Sequence, residues 1–369
     1  MLDRPAMTNA PGIAPSQVIR KLISSGAISL GEPLLDRQIQ PASLDLRLGR
    51  KAYRVRASFL PGPGQTVRER LNQVLMHEFS LENGAVLETG CVYLIPLLEG
   101  LALPKDLLAA TNPKSSTGRL DVFTRVIADG VRGFDTVPAG YAGALWAEVS
   151  PRTFPVLVRT GSRLSQIRFR KGAIGLTGDE MKALQAKERL VDTDQPDLRD
   201  GISVTVDLSG SGRSKRVGYR AKRHAAVIDV EKVGGYEVDD FWEPVSARDG
   251  KLILDPGEFY ILASREAVHV PPDYAAEMVP FDPLVGEFRV HYAGFFDPGF
   301  GHAQSGGKGS RAVLEVRSHE VPFILEHGQT VGRLVYEKLS ARPDMLYGQD
   351  LGSNYQAQGL KLSKHFKGS

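Results

Sequence analysis

A turn rich in cationic and hydroxyl side chains is the first place in this sequence that suggests chemistry. Residues 113–119 read PKSSTGR and bring Lys114, Ser115, Ser116 and Arg119 close together in the chain. Cationic side chains, small hydroxyls and backbone N–H groups are the donors that bind phosphate oxygens. The turn therefore indicates a phosphate-binding site, and the alternative is a solvated surface turn of the same composition.

The sequence repeats itself at a constant spacing. Five landmark pairs stand 167 positions apart, namely Tyr93/Tyr260, Pro104/Pro271, Pro113/Pro280, Glu148/Glu315 and Gly161/Gly328. An earlier pair, Asp45 and Asp207, aligns at the smaller offset of 162. A fixed offset with matching local sequence predicts two copies of one domain. We place copy one at residues 1–198 and copy two at 199–369, with the polar, proline-containing stretch 191–202 at the boundary.

The two copies differ where chemistry is expected. At the position of the PKSSTGR turn, copy two has PFDPLVGE (280–287), whose Asp282 and Glu287 repel phosphate. Copy two has a short AGFFDPGFG hairpin (293–301), whereas copy one extends this region to residues 126–143. We infer a division of labour, in which copy one holds phosphates and copy two shapes a base and sugar pocket.

Short alternating runs such as LDLRL, VLVRT and RAVLEVRS, separated by Gly, Pro, Asp or Ser, predict an all-β chain with few short helices. Many short strands favour a sandwich or compact barrel. Two helices are expected, one carrying the apolar stripe from Val18 to Ile23 and one over residues 179–190, packed at the edge of the first domain.

Composition narrows the function classes. The 369 residues carry a formal net charge of +3 and one cysteine, Cys91, and the N-terminus shows no apolar signal segment. We expect a cytoplasmic protein with no membrane partner. A single cysteine excludes the zinc nucleobase deaminase signature.

The loop GHAQSGGKGS (301–310) fails the P-loop spacing and is interpreted as a hairpin tip. The basic segment 212–224 is interpreted as a solvated strand, with a nucleic-acid patch as the alternative.

Several motifs together resemble one family. The segment QIQPASLDLRLG, the PKSSTGR turn, AGFFDPGF, the strand around Glu315 and the tail NYQAQGLKLSKHF resemble the dCTP deaminase branch of the dUTPase-like family, in a tandem form that covers most of the chain. The resemblance implies two distorted β-barrel (β-clip) domains. It also implies a homo-oligomer with sites where neighbouring domains meet, a Mg²⁺ ion carried by the triphosphate, and no zinc.

The resemblance also implies catalytic roles. Ser115 and Arg119 match the catalytic serine and arginine of the SSxGR-type turn. Glu315 matches the glutamate that activates the hydrolytic water, and Glu148 is its counterpart in copy one. A carboxylate in a water-poor pocket suits this role because desolvation raises its pKa. The alternative for both glutamates is a charge on the solvent face of a strand. Of the eight histidines, we single out only His291, next to the expected base pocket.

The remaining positions implied by the resemblance bind the nucleotide. Lys114 and Ser116 match phosphate-holding positions, although the family commonly has arginine in place of the lysine. The others are Asp297 for the sugar 3′-hydroxyl, the backbone at Ala293 for the base, and Tyr347 and Gln358 for the triphosphate. The lysine expected in the tail falls on Asn354, so Lys361 or Lys364 is expected to replace it.

These observations predict hydrolytic deamination of dCTP to dUTP and ammonia, with dTTP as a possible inhibitor and no nucleic-acid partner. Two alternatives stay open: a dUTP diphosphatase, or bifunctional deaminase and diphosphatase, and a non-catalytic nucleotide-sensing module. Because the cationic turn occurs only in copy one and the short hairpin and tail only in copy two, we expect a composite site. Copy one would supply Ser115 and Arg119, and copy two Asp297, Glu315 and the tail.

Overall fold

The computed structural model describes residues 10–210, 215–280, 288–291, 294–303, 308–318, 320–348 and 359–368, with the backbone alone at 280 and 288–291. The chain forms two compact units. Unit 1 comprises Met1–Ile174, Ala226–Lys232 and Lys338–Met345, and unit 2 comprises Gly175–Ala225, Val233–Glu337 and Leu346–Ser369. The main division therefore falls earlier in the chain than the boundary expected at 198/199.

The secondary structure consists of short strands with five helices among the described residues. The first part of the chain contains β1 (Gly12–Ile13), α1 (Ser16–Ser24), β2 (Ile28–Leu30), β3 (Leu44–Arg47), β4 (Lys51–Val55), α2 (Val67–Val74), β5 (Leu75–Ser80), β6 (Ala85–Leu87), β7 (Val92–Ala102), β8 (Leu108–Pro113), α3 (Ser115–Gly118), β9 (Val122–Ala128), β10 (Thr136–Val137), β11 (Ala142–Pro151), β12 (Val156–Val158) and β13 (Arg163–Lys171). The second part contains α4 (Gly178–Glu188), β14 (Ile202–Thr205), β15 (Arg216–Ala221), β16 (Ile228–Asp229), α5 (Val238–Phe241), β17 (Trp242–Ser246), β18 (Lys251–Leu254), β19 (Phe259–Val268), β20 (Tyr274–Pro280), β21 (Phe288–His291), β22 (Phe295–Phe296), β23 (Ser310–Ser318), β24 (Phe323–Glu326) and β25 (Thr330–Lys338).

The strand order of unit 1 recurs in unit 2. In unit 1 the sheets run β3-β13-β8-β10, β5-β4-β7-β11-β9 and β6-β12. In unit 2 they run β14-β25-β20-β22, β17-β15-β19-β23-β21 and β18-β24. Unit 1 adds β1 on β13, β2 on β7 and β16 on β12. This repetition confirms the all-β fold class and the tandem duplication.

Strand register corrects one part of the sequence alignment. Asp45 on β3 pairs with Gln166 of β13, and Ser203 on β14 pairs with Arg333 of β25. Gln166 and Arg333 stand 167 positions apart, so Asp45 corresponds to Ser203 and not to Asp207. Asp207 lies beyond the end of β14. The alignment of Asp45-Leu46 with Asp207-Leu208 was therefore wrong, because the similarity of two residues does not fix a strand register.

The helices begin and end for local reasons. Helix α1 buries Val18, Ile19 and Leu22 on one side, as the apolar stripe predicts. Helix α4 starts at a capping box formed by Thr177 and Glu180. Its buried residues belong to the hydrophobic core of unit 2, which contradicts the expected packing at the edge of the first domain. No helix in the described part of the chain is long and apolar enough to cross a membrane.

A buried glutamate joins two sheets in unit 1. Glu99 on β7 accepts hydrogen bonds from the backbone N–H of Arg47 on β3 (2.7 Å) and from its Nε (2.7 Å). Gln38 adds a third bond to Glu99 at 2.9 Å. The two ends of the Arg47 guanidinium donate to the backbone carbonyls of Pro33 and Glu32. The ion pair is fully enclosed, and its remaining donors are satisfied by backbone.

Unit 2 keeps the glutamate and replaces the arginine. Glu266 on β19 stands 167 positions after Glu99 and accepts the backbone N–H of Thr205 on β14 at 2.8 Å and its hydroxyl at 2.5 Å. By register, Thr205 corresponds to Arg47. Both units thus use one carboxylate on the same long strand to fix the neighbouring sheet.

We expect Glu99→Gln to lower the free energy of unfolding of unit 1 by about 3–5 kcal/mol, because the Arg47 charge would remain buried without its partner. Urea titration followed by circular dichroism measures the change. Glu82→Gln is the matched control, because its ion pair with Arg50 is largely exposed. A loss for Glu99→Gln as small as that for the control would contradict a structural role for the buried pair.

Candidate functional site

The PKSSTGR turn connects the end of β8 to a single helical turn, α3. Lys114 stands at the N-cap of α3 and Arg119 at its C-cap, where the Arg119 N–H donates to the carbonyl of Ser115 at 3.0 Å. Ser115 is half-buried, whereas Ser116 and Arg119 are buried, Arg119 being only 3% exposed. The hydroxyl and guanidinium groups singled out by sequence therefore lie on one short, tightly wound segment.

Lys114 is held by a carboxylate that sequence reasoning did not identify. Its Nζ lies 2.5 Å from Oδ2 of Asp45 on β3, and Nη1 of Arg163 on β13 lies 3.5 Å from the same oxygen. Oδ1 of Asp45 is buried and has no hydrogen-bond partner among the residues described. The alternation in LDLRL could have placed Asp45 on a strand, but only the pairing of β13 with both β3 and β8 brings it to the turn.

Glu148 lies on β11 and forms a buried ion pair with Arg125 of β9. Its Oε1 accepts Nε of Arg125 at 3.1 Å and Nη2 at 2.5 Å, and the Glu148 side chain is only 2% exposed. The guanidinium lies 3.4 Å from the centre of the Phe134 ring and also donates to the hydroxyl of Ser58 at 3.0 Å. Glu148 is thus not a charge on a solvent face. It is a carboxylate fixed by an arginine.

Glu315 occupies the matching place in unit 2. Its strand β23 pairs with β21 so that Glu315 stands opposite His291, as Glu148 stands opposite Arg125. On the other side, Glu315 pairs with Ile261 and Glu148 with Leu94, again 167 positions apart. Glu315 is also buried. The two copies therefore differ at the register position next to the glutamate, which is arginine in one and histidine in the other.

Asp297 begins the tight turn of the hairpin in unit 2. It is buried, and its carbonyl accepts the N–H of Phe300 at 3.1 Å. Tyr347 joins this hairpin through a bond from its N–H to the carbonyl of Pro298 (2.9 Å) and through its ring, centred 5.7 Å from that of Phe300. The structure thus brings Asp297 and Tyr347 to the same hairpin.

The corresponding turn of unit 1 lacks this carboxylate. Leu103 donates to the carbonyl of Tyr141, as Val270 donates to that of Phe300, both at 2.8 Å. This match places Pro138 of unit 1 where unit 2 has Asp297. The two turns therefore share their backbone hydrogen bonds and differ in the residue at this position, proline in unit 1 and aspartate in unit 2.

The tail residues lie where the chain end packs on unit 2. Lys361 and Lys364 are half-buried, and the carbonyl of Lys364 accepts the N–H of Gly234 at 2.9 Å. Phe366 packs edge-on against Trp242, with ring centres 5.8 Å apart. Five positions discussed above lie outside the described residues, namely Asp282, Glu287, Ala293, Asn354 and Gln358.

The repeated strand order and the paired glutamates define a tandem protein of the dUTPase-like fold. Residues 10–173 match the family model for the N-terminal domain of 2'-deoxycytidine 5'-triphosphate deaminase, and residues 177–366 match the model for its C-terminal domain. The chain therefore belongs to the dCTP deaminase family.

Similar proteins support this placement. A crystal structure of 2'-deoxycytidine 5'-triphosphate deaminase from Agrobacterium tumefaciens is 63% identical, with a TM-score of 0.87 over 90% of this chain and 100% of that chain. A "dCTP deaminase, dUMP-forming" from Sulfurihydrogenibium is 32% identical over 161 residues, 42% of this chain and 81% of that protein. A "dCTP deaminase" from Haloarcula marismortui is 30% identical over 161 residues, 42% of this chain and 78% of that protein.

A second buried carboxylate lies close to the Arg125–Glu148 pair. Asp135 accepts the hydroxyl of Thr111 at 2.7 Å and the N–H of Val126 at 2.8 Å. Burial nevertheless raises the pKa of Asp135 to about 6, and the charge of Glu148 acts in the same direction. The water-poor surroundings of the glutamate therefore disfavour further negative charge.

This pKa shift predicts a pH-dependent stability. The folded protein holds the Asp135 proton more tightly than the unfolded chain, so the contribution is complete below pH 3.8 and is lost as pH rises through about 6. At roughly 1.4 kcal/mol per pKa unit, the loss is about 3 kcal/mol. Asp135→Asn should remove this part of the pH dependence in urea unfolding at pH 4.5 and 7.5. Asp36→Asn, at an exposed position, serves as the control, and an unchanged slope in Asp135→Asn would contradict the assignment.

Proposed function

We propose that this protein deaminates dCTP by hydrolysis, so that water adds at C4 of the cytosine ring and ammonia leaves, giving dUTP. The observation that carries the proposal is the 63% identity with a dCTP deaminase that this chain matches over all of that protein's length. Support also comes from the residues: a cationic, hydroxyl-rich turn suits a triphosphate, and a buried glutamate suits proton transfer.

Glu315 is proposed as the base, in preference to Glu148. Glu315 lies in the copy that also carries the short Asp297 hairpin and leads into the tail, and these features are proposed to hold the nucleotide. In the other copy, Glu148 is bound by Arg125 through two N–H groups. The register position facing Glu315 carries a histidine instead.

Arg119 and Ser115 are proposed to act on the reacting ring. A buried guanidinium keeps its charge at every working pH and can stabilise negative charge that develops on the attacking oxygen. The hydroxyl of Ser115 would orient the water or the base.

The remaining proposed contacts hold the nucleotide. Lys114 and Ser116 would bind phosphate oxygens, Asp297 the 3′-hydroxyl and the backbone at Ala293 the base. The triphosphate would be closed in by Tyr347, Gln358 and Lys361 or Lys364. Mg²⁺ would arrive with the substrate, because it binds phosphate oxygens and water and needs few ligands from the protein. Donors such as the Lys114 ammonium and the Ser116 hydroxyl fit an anion carrying its own cation.

A second candidate is a bifunctional enzyme that also releases pyrophosphate and forms dUMP. The name of the Sulfurihydrogenibium relative, "dCTP deaminase, dUMP-forming", favours it. Incubation of the full chain with Mg²⁺ and dCTP, followed by chromatography of nucleotides and assay of ammonia and pyrophosphate, separates the candidates. Ammonia with accumulating dUTP supports deamination alone. Equal ammonia and pyrophosphate support the bifunctional reaction, and nucleotide binding without turnover would leave only a sensing module.

The choice of base predicts the order of two matched variants. Glu315→Gln should lower kcat by about 10²–10⁴-fold while dCTP still binds, because the amide keeps the shape and loses the base. Glu148→Gln should lower kcat much less. Steady-state ammonia release and calorimetric binding of dCTP measure both effects, with circular dichroism as the folding control. The reverse order would assign the chemistry to Glu148.

The proposed role of the PKSSTGR turn predicts the effects of two further substitutions on kcat. Ser115→Ala should lower kcat by about 10²–10³-fold, the usual scale for one catalytic hydrogen bond. Arg119→Lys should remove most activity, since an ammonium cannot reproduce the guanidinium geometry. Arg119 is buried, so thermal unfolding must accompany its assay. Near-normal turnover in both folded variants would remove the PKSSTGR turn from the site.

A further inference from the structure

Two histidines and a glutamate of unit 2 come together at a place that the proposed deamination does not use. The possible ligand atoms of Glu188, His269 and His302 all lie within 4.8 Å of one another. Oε2 of Glu188 and Nε2 of His302 are 3.7 Å apart, and the rings of His269 and His302 are centred 5.2 Å apart. These residues are the last residue of α4, the residue that follows β19 and a residue just after the Asp297 hairpin.

The backbone holds these three segments in place without help from the cluster. The N–H of His269 donates to the carbonyl of Leu190 at 3.0 Å, which fixes the end of β19 against the residues that follow α4. The hydroxyl of Tyr336 donates to the His269 carbonyl at 2.6 Å. The N–H of His302 donates to the carbonyl of Gly299 at 3.1 Å. The three side chains therefore project from a preformed frame, which lowers the cost of ligand binding.

The chemistry of the donor set is that of a transition-metal site. Two imidazoles and one carboxylate suit Zn²⁺ and its neighbours in the first transition series, whereas Mg²⁺ prefers oxygen ligands alone. A separation of 3.7 Å between Glu188 and His302 donors is close to that of two ligands about 2.0–2.2 Å from one zinc ion. Small side-chain rotations would bring His269 within bonding distance of the same ion as the third ligand.

The backbone of Glu188 fixes the orientation of one ligand ring. The His269 ring is hydrogen-bonded to this backbone, as outer partners orient ligands in metal sites. The competing cation at Glu188 is Lys187, whose Nζ lies 3.4 Å from the other carboxylate oxygen and is largely exposed. An exposed contact of this kind is weak.

We propose that Glu188, His269 and His302 form a site for one divalent transition-metal ion, with zinc as the preferred ion and water at the open position. The ion would tie the end of α4 to the hairpin that carries Asp297. Its role is structural and lies outside the hydrolytic chemistry. The proposal is independent of the function proposed above, because it rests on this cluster alone.

The test uses the full-length chain without an affinity tag, stripped of metal with a chelator. We expect calorimetry with Zn²⁺ in excess Mg²⁺ to give one equivalent per chain, and Co²⁺ to give visible ligand-field bands that Zn²⁺ removes. Loss of a residue that only hydrogen-bonds to a metal ligand costs about 10–100-fold in metal affinity. Loss of a ligand itself should cost more, so Glu188→Gln and His302→Gln should each weaken Zn²⁺ binding by at least about 100-fold. Zn²⁺ should raise the Tm of the unaltered protein and not that of either variant.

His77→Gln is the matched control, since His77 is an exposed histidine of unit 1 and should leave Zn²⁺ binding unchanged. Circular dichroism checks that the variants fold, and Glu188, half-buried at a helix end, provides the variant least able to disturb the core. Unchanged affinity in folded Glu188→Gln and His302→Gln would overturn the site. Displacement of Zn²⁺ by Mg²⁺ would also overturn it. So would the absence of Zn²⁺ binding to the unaltered chain, which would leave only a contact between Glu188 and His302.

Discussion

The carboxylate that crosses from one sheet to the next is the constraint on which each unit depends. Glu99 on β7 and Glu266 on β19 each accept a backbone N–H from a strand of the neighbouring sheet. A buried carboxylate without such donors would be costly, so the two strands must stay in this register for the unit to be stable. The partner side chain is free to change, from Arg47 to Thr205, because the backbone bond is kept.

A scaffold fixed in this way allows the functional positions of the two copies to diverge. The glutamate pair Glu148 and Glu315 keeps the same strand and register, while the opposite position changes from Arg125 to His291. The hairpin turn changes from Pro138 to Asp297 without altering the bond that follows it. The two glutamates therefore share a strand position and an E-V sequence but stand opposite different residue types.

Much of the fold could be predicted from the sequence, because the repeat of 167 residues and the alternating runs depend on local patterns. The predictions that failed concern contacts between residues that are far apart in the sequence. The Asp45–Asp207 alignment failed because register is set by pairing with β13 and β25. The placement of α4 failed because its apolar residues, Met181 and Leu184, do not reveal which core will receive them.

The candidate site shows the same limit. The PKSSTGR turn and the two glutamates were found because their residue types are close in sequence or repeat at the common offset. The Asp45 contact to Lys114 and the Arg125 contact to Glu148 depend on pairing across sheets, so no local motif shows them. The histidine cluster was missed for the same reason: Glu188, His269 and His302 are far apart in sequence, and the only histidine singled out was His291.

The charges at the PKSSTGR turn show what contacts across sheets contribute to the position of a side chain. Lys114 and Arg163 share the single carboxylate of Asp45, so this group of three carries one excess positive charge. Asp45 fixes the position of the lysine, which would reduce the side-chain entropy lost in the proposed phosphate contact. That proposed contact would not have to displace Asp45, because Arg163 also compensates its carboxylate. The turn therefore fixes an ammonium group in a largely buried setting, where an unpaired lysine would be unstable.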